Sequence, residues 1–258
     1  MRYFLKLAYL GTRYCGWQKQ PNGVSVQETL ETALALILRE PITLTGCGRT
    51  DAGVHAHCFF AHFDAENPLP ERFLQGVNSL LPPDVAVYSH LAMPPEAHAR
   101  YDAVQRSYIY TITAHKDPFR TQTAWFYPHV HRLNLKKMTD MAEMLPRYTD
   151  FSAFCKSDSG LERFECLLRE ARWEQDDHLL RFHISANRFL RGMVRLIVGA
   201  AIQTGLGRLS VGDIQNALEQ HKPPPRPLSA PPEGLSLTDV RYPYPVEPAQ
   251  LDHAHPPA

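Results

Sequence analysis

The apolar positions fall into stretches of strand period and helix period. Tyr3, Leu5, Leu7 and Tyr9 alternate with their neighbours and predict a strand over 3–9. Val26, Leu30, Ala33, Leu34, Ile37 and Leu38 recur at helical spacing behind Ser25-Val26-Gln27-Glu28, a capping-box pattern, and Pro41 supplies the stop. Apolar runs at 42–45 and 57–63 predict two strands flanking a glycine-rich turn. Phe73, Leu74, Val77 and Leu80 predict a helix over 70–81, and a further strand follows at 85–88.

A second series begins near Arg106. A strand is expected over 107–113, with Tyr108, Tyr110 and Ile112 on one face. A helix over 134–145 follows, turning Leu135, Met138, Met141, Ala142 and Leu145 inward. Strands over 166–173 and 179–185 make a hairpin turning at Asp176-Asp177. Phe189, Leu190, Met193, Val194, Ile197, Val198 and Ala201 predict a long helix over 187–204, with Arg188, Arg191 and Arg195 together on a neighbouring face. A shorter helix over 211–219, a proline-rich linker over 222–232 and a closing strand over 234–242 complete it. The element order of the two series repeats while residue identity does not. The expected class is α+β, with two related halves, 1–104 and 105–242, whose antiparallel sheets join edge to edge around a central cleft. A proline-rich tail, 243–258, is expected to be disordered.

Composition narrows the class. The 258 residues are 44% hydrophobic, enough for a substantial core. No run of about 18 apolar residues exists, so no membrane span is expected. The N-terminal residues lack a leader pattern, and the five cysteines form no CxxC, which points to reduced thiols in a cytoplasm. Lys+Arg and Asp+Glu both number 27, so net charge attracts no polyanion. Locally the balance differs: from 178 to 212 there are Arg181, Arg188, Arg191, Arg195 and Arg208 and no acid, a field suited to phosphates.

Candidate chemistry centres on Gly46-Cys47-Gly48-Arg49-Thr50-Asp51-Ala52-Gly53-Val54-His55-Ala56. A glycine-rich turn at a sheet edge presents Arg49, Thr50 and Asp51, and catalytic groups concentrate on such loops. Arg49 and Asp51 would equally serve by pairing to hold the turn. A carboxylate beside a substrate needs a cation to stay charged, and the arginines of the long helix are the best supply. Tyr108 or Tyr110 would offer an aromatic face. The loop 11–23 mixes basic and aromatic residues, as a base-stacking loop does, although Trp17 would also fit the core. Cys47, His55, His57 and Cys58 suggest a metal, but no second cluster has zinc-type spacing, and His129 and His131 stand alone.

These residues carry a resemblance. The stretch Gly48 to Ala56 is similar to the signature of the TruA family of tRNA pseudouridine synthases. Further matching blocks lie in order at Gly11-Thr12 through Gly16-Trp17-Gln18, His98-Ala99-Arg100, Arg106-Ser107-Tyr108-Ile109-Tyr110, 187–195 and 231–235. The resemblance implies the pseudouridine synthase fold and isomerisation of uridine to pseudouridine in the anticodon stem-loop of tRNA, at positions 38, 39 and 40. It implies no cofactor and no metal, and a homodimer that shares one tRNA. Asp51 matches the nucleophile, Tyr108 the residue against the target uracil, Arg195 the cation beside the aspartate and Arg49 a residue linked to base flipping. Leu235 falls in a block packed near the ring. Arg188 and Arg191 are expected to contact RNA. Leu10 and Ser236 depart from the family pattern, which commonly has Asp and an aromatic there. A non-catalytic tRNA-binding module or RNA-folding helper explains the arginines but gives Asp51 no task. A metal-dependent hydrolase around His55 and His57 predicts loss of activity with chelator.

Overall fold

The computed structural model describes residues 1–156 and 162–246. The expected tail falls, from residue 247 on, outside them. In chain order the described elements are β1 (Arg2–Tyr9), α1 (Val26–Leu38), β2 (Thr45–Gly46), β3 (His55–Asp64), α2 (Phe73–Leu80), β4 (Val85–Met93), β5 (Gln105–Thr113), β6 (Trp125–Phe126), α3 (Leu135–Met144), β7 (Leu168–Asp176), β8 (Leu179–Ala186), α4 (Met193–Gly205), α5 (Val211–Glu219) and β9 (Leu235–Arg241). The class is α+β, as expected. No helix among the described residues is long and apolar enough to cross a membrane.

The strands form one nine-stranded sheet in the order β4-β1-β3-β9-β5-β8-β7, with β2 on β3 and β6 on β5. The junction expected between two sheets is a short parallel pair, His55 with Ser236 and Ala56 with Leu237, between β3 and β9. The other long neighbours run antiparallel. The closing strand therefore lies in the middle of the sheet.

Two apolar cores lie along it. One gathers β1 and β3 against α1 and α2; the other gathers β5, β7 and β8 against α3, α4 and α5. Tyr108 packs against both and marks the seam. Side chains alternate along β5, so Tyr108 and Tyr110 face the helices while Ile109 and Thr111 face away. On that far side is an open cavity of about 450 Å³, lined by Leu10, His57, Tyr88, Ile109 and Ser236 among others.

Local chemistry explains the element ends. Ser25 Oγ accepts the Glu28 N–H at 3.1 Å and starts α1, while the Glu28 carboxylate turns outward to Lys19 at 3.9 Å, so half of the expected capping box is made. The full reciprocal box is at Ser210 and Asp213, opening α5. Helix α1 ends at Arg39, left-handed at φ 59°, ahead of Pro41. Trp17 goes into the core, stacked on Phe59 with centroids 4.1 Å apart. A buried ring of this size is worth about 3–5 kcal/mol against alanine.

Two expectations are corrected. The strand over 42–45 shrinks to Thr45–Gly46, because Leu44 spends its backbone on α1: its N–H donates to Glu31 Oε1 (2.9 Å) and its carbonyl accepts from Gln27 Nε2 (3.0 Å). The long helix begins at Met193, not at 187. Asn187 Oδ1 accepts the N–H groups of Leu167 and Arg188, and Gly192 sits at φ 72°, so residues 187–192 are irregular. Arg188 and Arg191 therefore share no helical face with Arg195.

Candidate active site

The loop 48–54 is built on the loop 11–17. Trp17 N–H donates to the Thr50 carbonyl (3.3 Å) and Gly53 N–H to the Tyr14 carbonyl (3.2 Å). The hydroxyls of Tyr9 and Thr50 lie 2.9 Å apart. Gly16 is at φ 91°, and a Cβ there would sit 2.3 Å from the Thr50 carbonyl oxygen, so only glycine lets the two backbones meet. Asp51 then turns tightly, its carbonyl accepting from Val54 N–H at 3.1 Å.

His55 locks the loop to the far segment of the chain. Its Nδ1 accepts from Gly11 N–H (2.9 Å) and its Nε2–H donates to the Glu233 carbonyl (3.1 Å). Those two partners fix a neutral tautomer, and burial lowers the pKa. Both nitrogens are spent, so His55 has none left for the metal that the hydrolase reading needs it to hold. Among the described residues no group of three or more His, Cys, Asp or Glu gathers with ligand geometry.

The segment 230–233 is gripped residue by residue. Arg195 Nε donates to the Ala230 carbonyl (2.7 Å), and Ala230 N–H donates back to the Arg195 carbonyl (3.0 Å). Tyr110 hydroxyl donates to the Pro231 carbonyl (2.7 Å), Pro232 packs on Gly53, and Glu233 takes His55. This clamp holds Arg195, in the first turn of α4, where its Nη1 lies 3.2 Å from Asp51 Oδ2. The two side chains retain 13% and 23% exposure, so the pair is partly screened from water and the carboxylate stays accessible. A second cation, Lys156 Nζ, lies 3.9 Å from the same oxygen.

Tyr108 supplies the aromatic wall, edge-to-face with Phe189 at 5.2 Å. Burial, with the Cys47 thiol and the Asp51 carboxylate adding, pushes its phenol far above the ordinary value against an opposing pull from Arg106. Cys47 is itself raised to about 12 by burial, which makes it a poor thiolate nucleophile. Arg106 is a buried guanidinium bonded to four carbonyls: Cys47, Arg100, Ala103 and Asn187.

The structure thus brings Asp51 and Arg195 together, beside Tyr108. Arg49 is exposed on the same loop, and Asp51 pairs with Arg195 rather than holding the turn through Arg49. Arg191 is exposed and Arg188 half-buried, both in the irregular stretch before α4. Leu235 is buried at the start of β9, opposite Tyr110. Sequence reasoning missed Lys156, a lone lysine in no periodic pattern. It also missed Arg106 as a brace, because its acceptors are backbone carbonyls that no side-chain pattern reveals.

Comparison with known proteins decides the family. A family model described as tRNA pseudouridine synthase matches residues 148–243, the stretch holding Lys156, Arg195 and Leu235. A tRNA pseudouridine synthase A from Parabacteroides distasonis is 43% identical over 251 residues, 95% of this chain and 99% of the relative. One from Bacteroides fragilis is 45% identical, covering 94% and 96%. One from Geobacter sulfurreducens is 38% identical, covering 92% and 98%. The chain belongs to the tRNA pseudouridine synthase A family. The two departures from the synthase pattern, Leu10 and Ser236, both line the cavity on the far face of the sheet, whose lining includes none of Asp51, Tyr108 and Arg195.

Proposed function

We propose that this protein isomerises uridine to pseudouridine in the anticodon stem-loop of tRNA, at positions 38, 39 and 40, with Asp51 as the nucleophile. The observation that carries the reading is the Asp51–Arg195 pair, accessible at the seam of the sheet and flanked by Tyr108. A carboxylate in that place has no use in a module that only binds RNA, since it opposes phosphate.

The target base must leave its stack, which costs a few kcal/mol. Tyr108 returns about 1–3 kcal/mol by packing on the pyrimidine. Arg49, Arg188 and Arg191 meet the phosphates, and Leu235 closes the floor behind the ring. Asp51 opens the C1′–N1 bond, whose electron pair departs with the uracil. The ring turns within the pocket, C5 joins C1′ as the Asp51 carboxylate is released, and the proton lost from C5 is matched by one taken up at N1, so the product has the formula of the substrate. Confinement prevents an abasic site. The reading includes a homodimer sharing one tRNA, in the cytoplasm, with neither cofactor nor metal.

The test is carbodiimide–primer-extension mapping of tRNA treated with wild type or Asp51→Asn. Stops at positions 38, 39 and 40 are expected with wild type and none with Asp51→Asn, which still binds tRNA. Pseudouridine made by Asp51→Asn in a clean preparation refutes the assignment.

A further inference from the structure

Asp51 has two cations and they are held differently. Arg195 is immobilised: its Nε and its backbone carbonyl are both committed to Ala230. Lys156 is not. Its ammonium lies 3.9 Å from Asp51 Oδ2, beyond hydrogen-bond reach, and its side chain keeps 36% exposure, so solvent and an incoming acceptor can approach it.

Its position is nonetheless built into the fold. Lys156 N–H donates to the Arg191 carbonyl at 3.1 Å. Its stem lies across Gly192, where a Cβ would come within 2.9 Å of Lys156 Cγ and Cε. The missing side chain at 192 is thus the bed on which the lysine rests. A surface lysine held only by solvent would have no such seat.

We propose that Lys156 exchanges partners when RNA enters, leaving the Asp51 carboxylate for a phosphate flanking the flipped uridine. The inference rests on the reading of Asp51 as nucleophile. Charge supplies the reason. A carboxylate approaching a nucleotide sugar meets the phosphates on either side, and Arg195, committed to Ala230 and to Asp51, cannot turn to them. A partly exposed cation 3.9 Å from that carboxylate can reach a phosphate brought up beside it. Its departure also lowers the positive field on Asp51 when the carboxylate must react. Lys156 is therefore a positioning residue for the RNA backbone.

The test is a two-by-two cycle in binding. Wild type and Lys156→Met are titrated with an anticodon stem-loop RNA, unmodified or carrying one uncharged methylphosphonate immediately 5′ or 3′ of the target uridine. Lys156→Met should reduce the salt slope of binding by about one. One of the two methylphosphonates should weaken wild type and leave Lys156→Met unaffected, because the partner is already gone. Lys156→Arg should restore both the slope and the sensitivity, and matched melting curves exclude misfolding. Additive losses at both positions, or an unchanged slope, overturn the proposal. Because the readout is binding, activity in Asp51→Asn would sink the nucleophile assignment and leave this cycle standing. A failed cycle beside correct mapping would sink the lysine alone.

Discussion

Arg106 on β5 donates to the carbonyl of Cys47 from both Nε (3.1 Å) and Nη2 (2.6 Å), so the strand that carries Tyr108 also grips the loop that carries Asp51. The same guanidinium reaches the carbonyls of Arg100, Ala103 and Asn187. Its charge is balanced by carbonyl dipoles, with no carboxylate among these partners.

Lysine cannot reproduce that fork. Arg106→Lys keeps the charge but strands several buried carbonyls, each costing about 1–3 kcal/mol if left dry. A loss of about 3 kcal/mol in urea unfolding is expected, together with a fall in pseudouridine formation as the two sides of the seam drift. Wild-type stability in this variant would show that Arg106 braces nothing.

Arg195→Ala removes the fixed cation and frees the Ala230 carbonyl. Asp51 keeps 23% exposure, so the stability loss should stay below the figure for a fully buried pair, about 1–3 kcal/mol. Turnover should suffer more, on the order of a hundredfold or greater. Thermal melting and single-turnover mapping separate the two effects, and equal losses in both would argue for a purely structural pair.

Gly53→Ala attacks the clamp from the other side. Gly53 is at φ 78°, and an added Cβ would meet Pro232 Cγ at 2.8 Å. The left-handed backbone alone costs about 1–2 kcal/mol. The loop should move off segment 230–233 and carry Asp51 away from Arg195. Reduced activity with tRNA affinity retained is the expected pattern; full activity would mean that the clamp does not position Asp51.

Acid should unfold the protein in a window set by histidine. His62 is buried, accepts the Ala99 N–H at 3.1 Å through Nδ1, and has its pKa lowered to about 4, chiefly by burial, then by Arg2 and His98. The unfolded chain takes up this proton near 6.5 and the folded one resists until about 4. Stability is thus fully present above 6.5 and drains away as pH falls towards 4. His55 and His98, also lowered, act in the same direction. Melting temperature measured against pH should decline across that interval, and a flat line down to its lower edge would count against a neutral buried His62.

Much of the fold was legible because its signals are local. Alternation gave β1 and β5, serine caps gave α1, and the extent of α5 was read to the residue. The failures are tertiary overrides. Residues 187–192 have helical periodicity, yet Asn187 takes two backbone donors and Gly192 turns left-handed, so the chain stays open there. At the site, the glycine turn pointed to Asp51, the strand to Tyr108 or Tyr110 and the helix to its arginines, and the family resemblance chose Tyr108 and Arg195 among them. Lys156 and Arg106 act through a charge at a distance and through backbone carbonyls, neither of which leaves a pattern in sequence.

The place of β9 has a bearing on truncation. The strand that bridges β3 and β5, and the segment before it that fixes Arg195 and His55, come after every other described strand of the sheet in chain order. A chain lacking them loses the strand that joins β3 to β5 and keeps the Arg106–Cys47 bonds as the described link between the Asp51 loop and the Tyr108 strand. A truncation before residue 235 removes both pairings and should yield an inert product however well each piece folds.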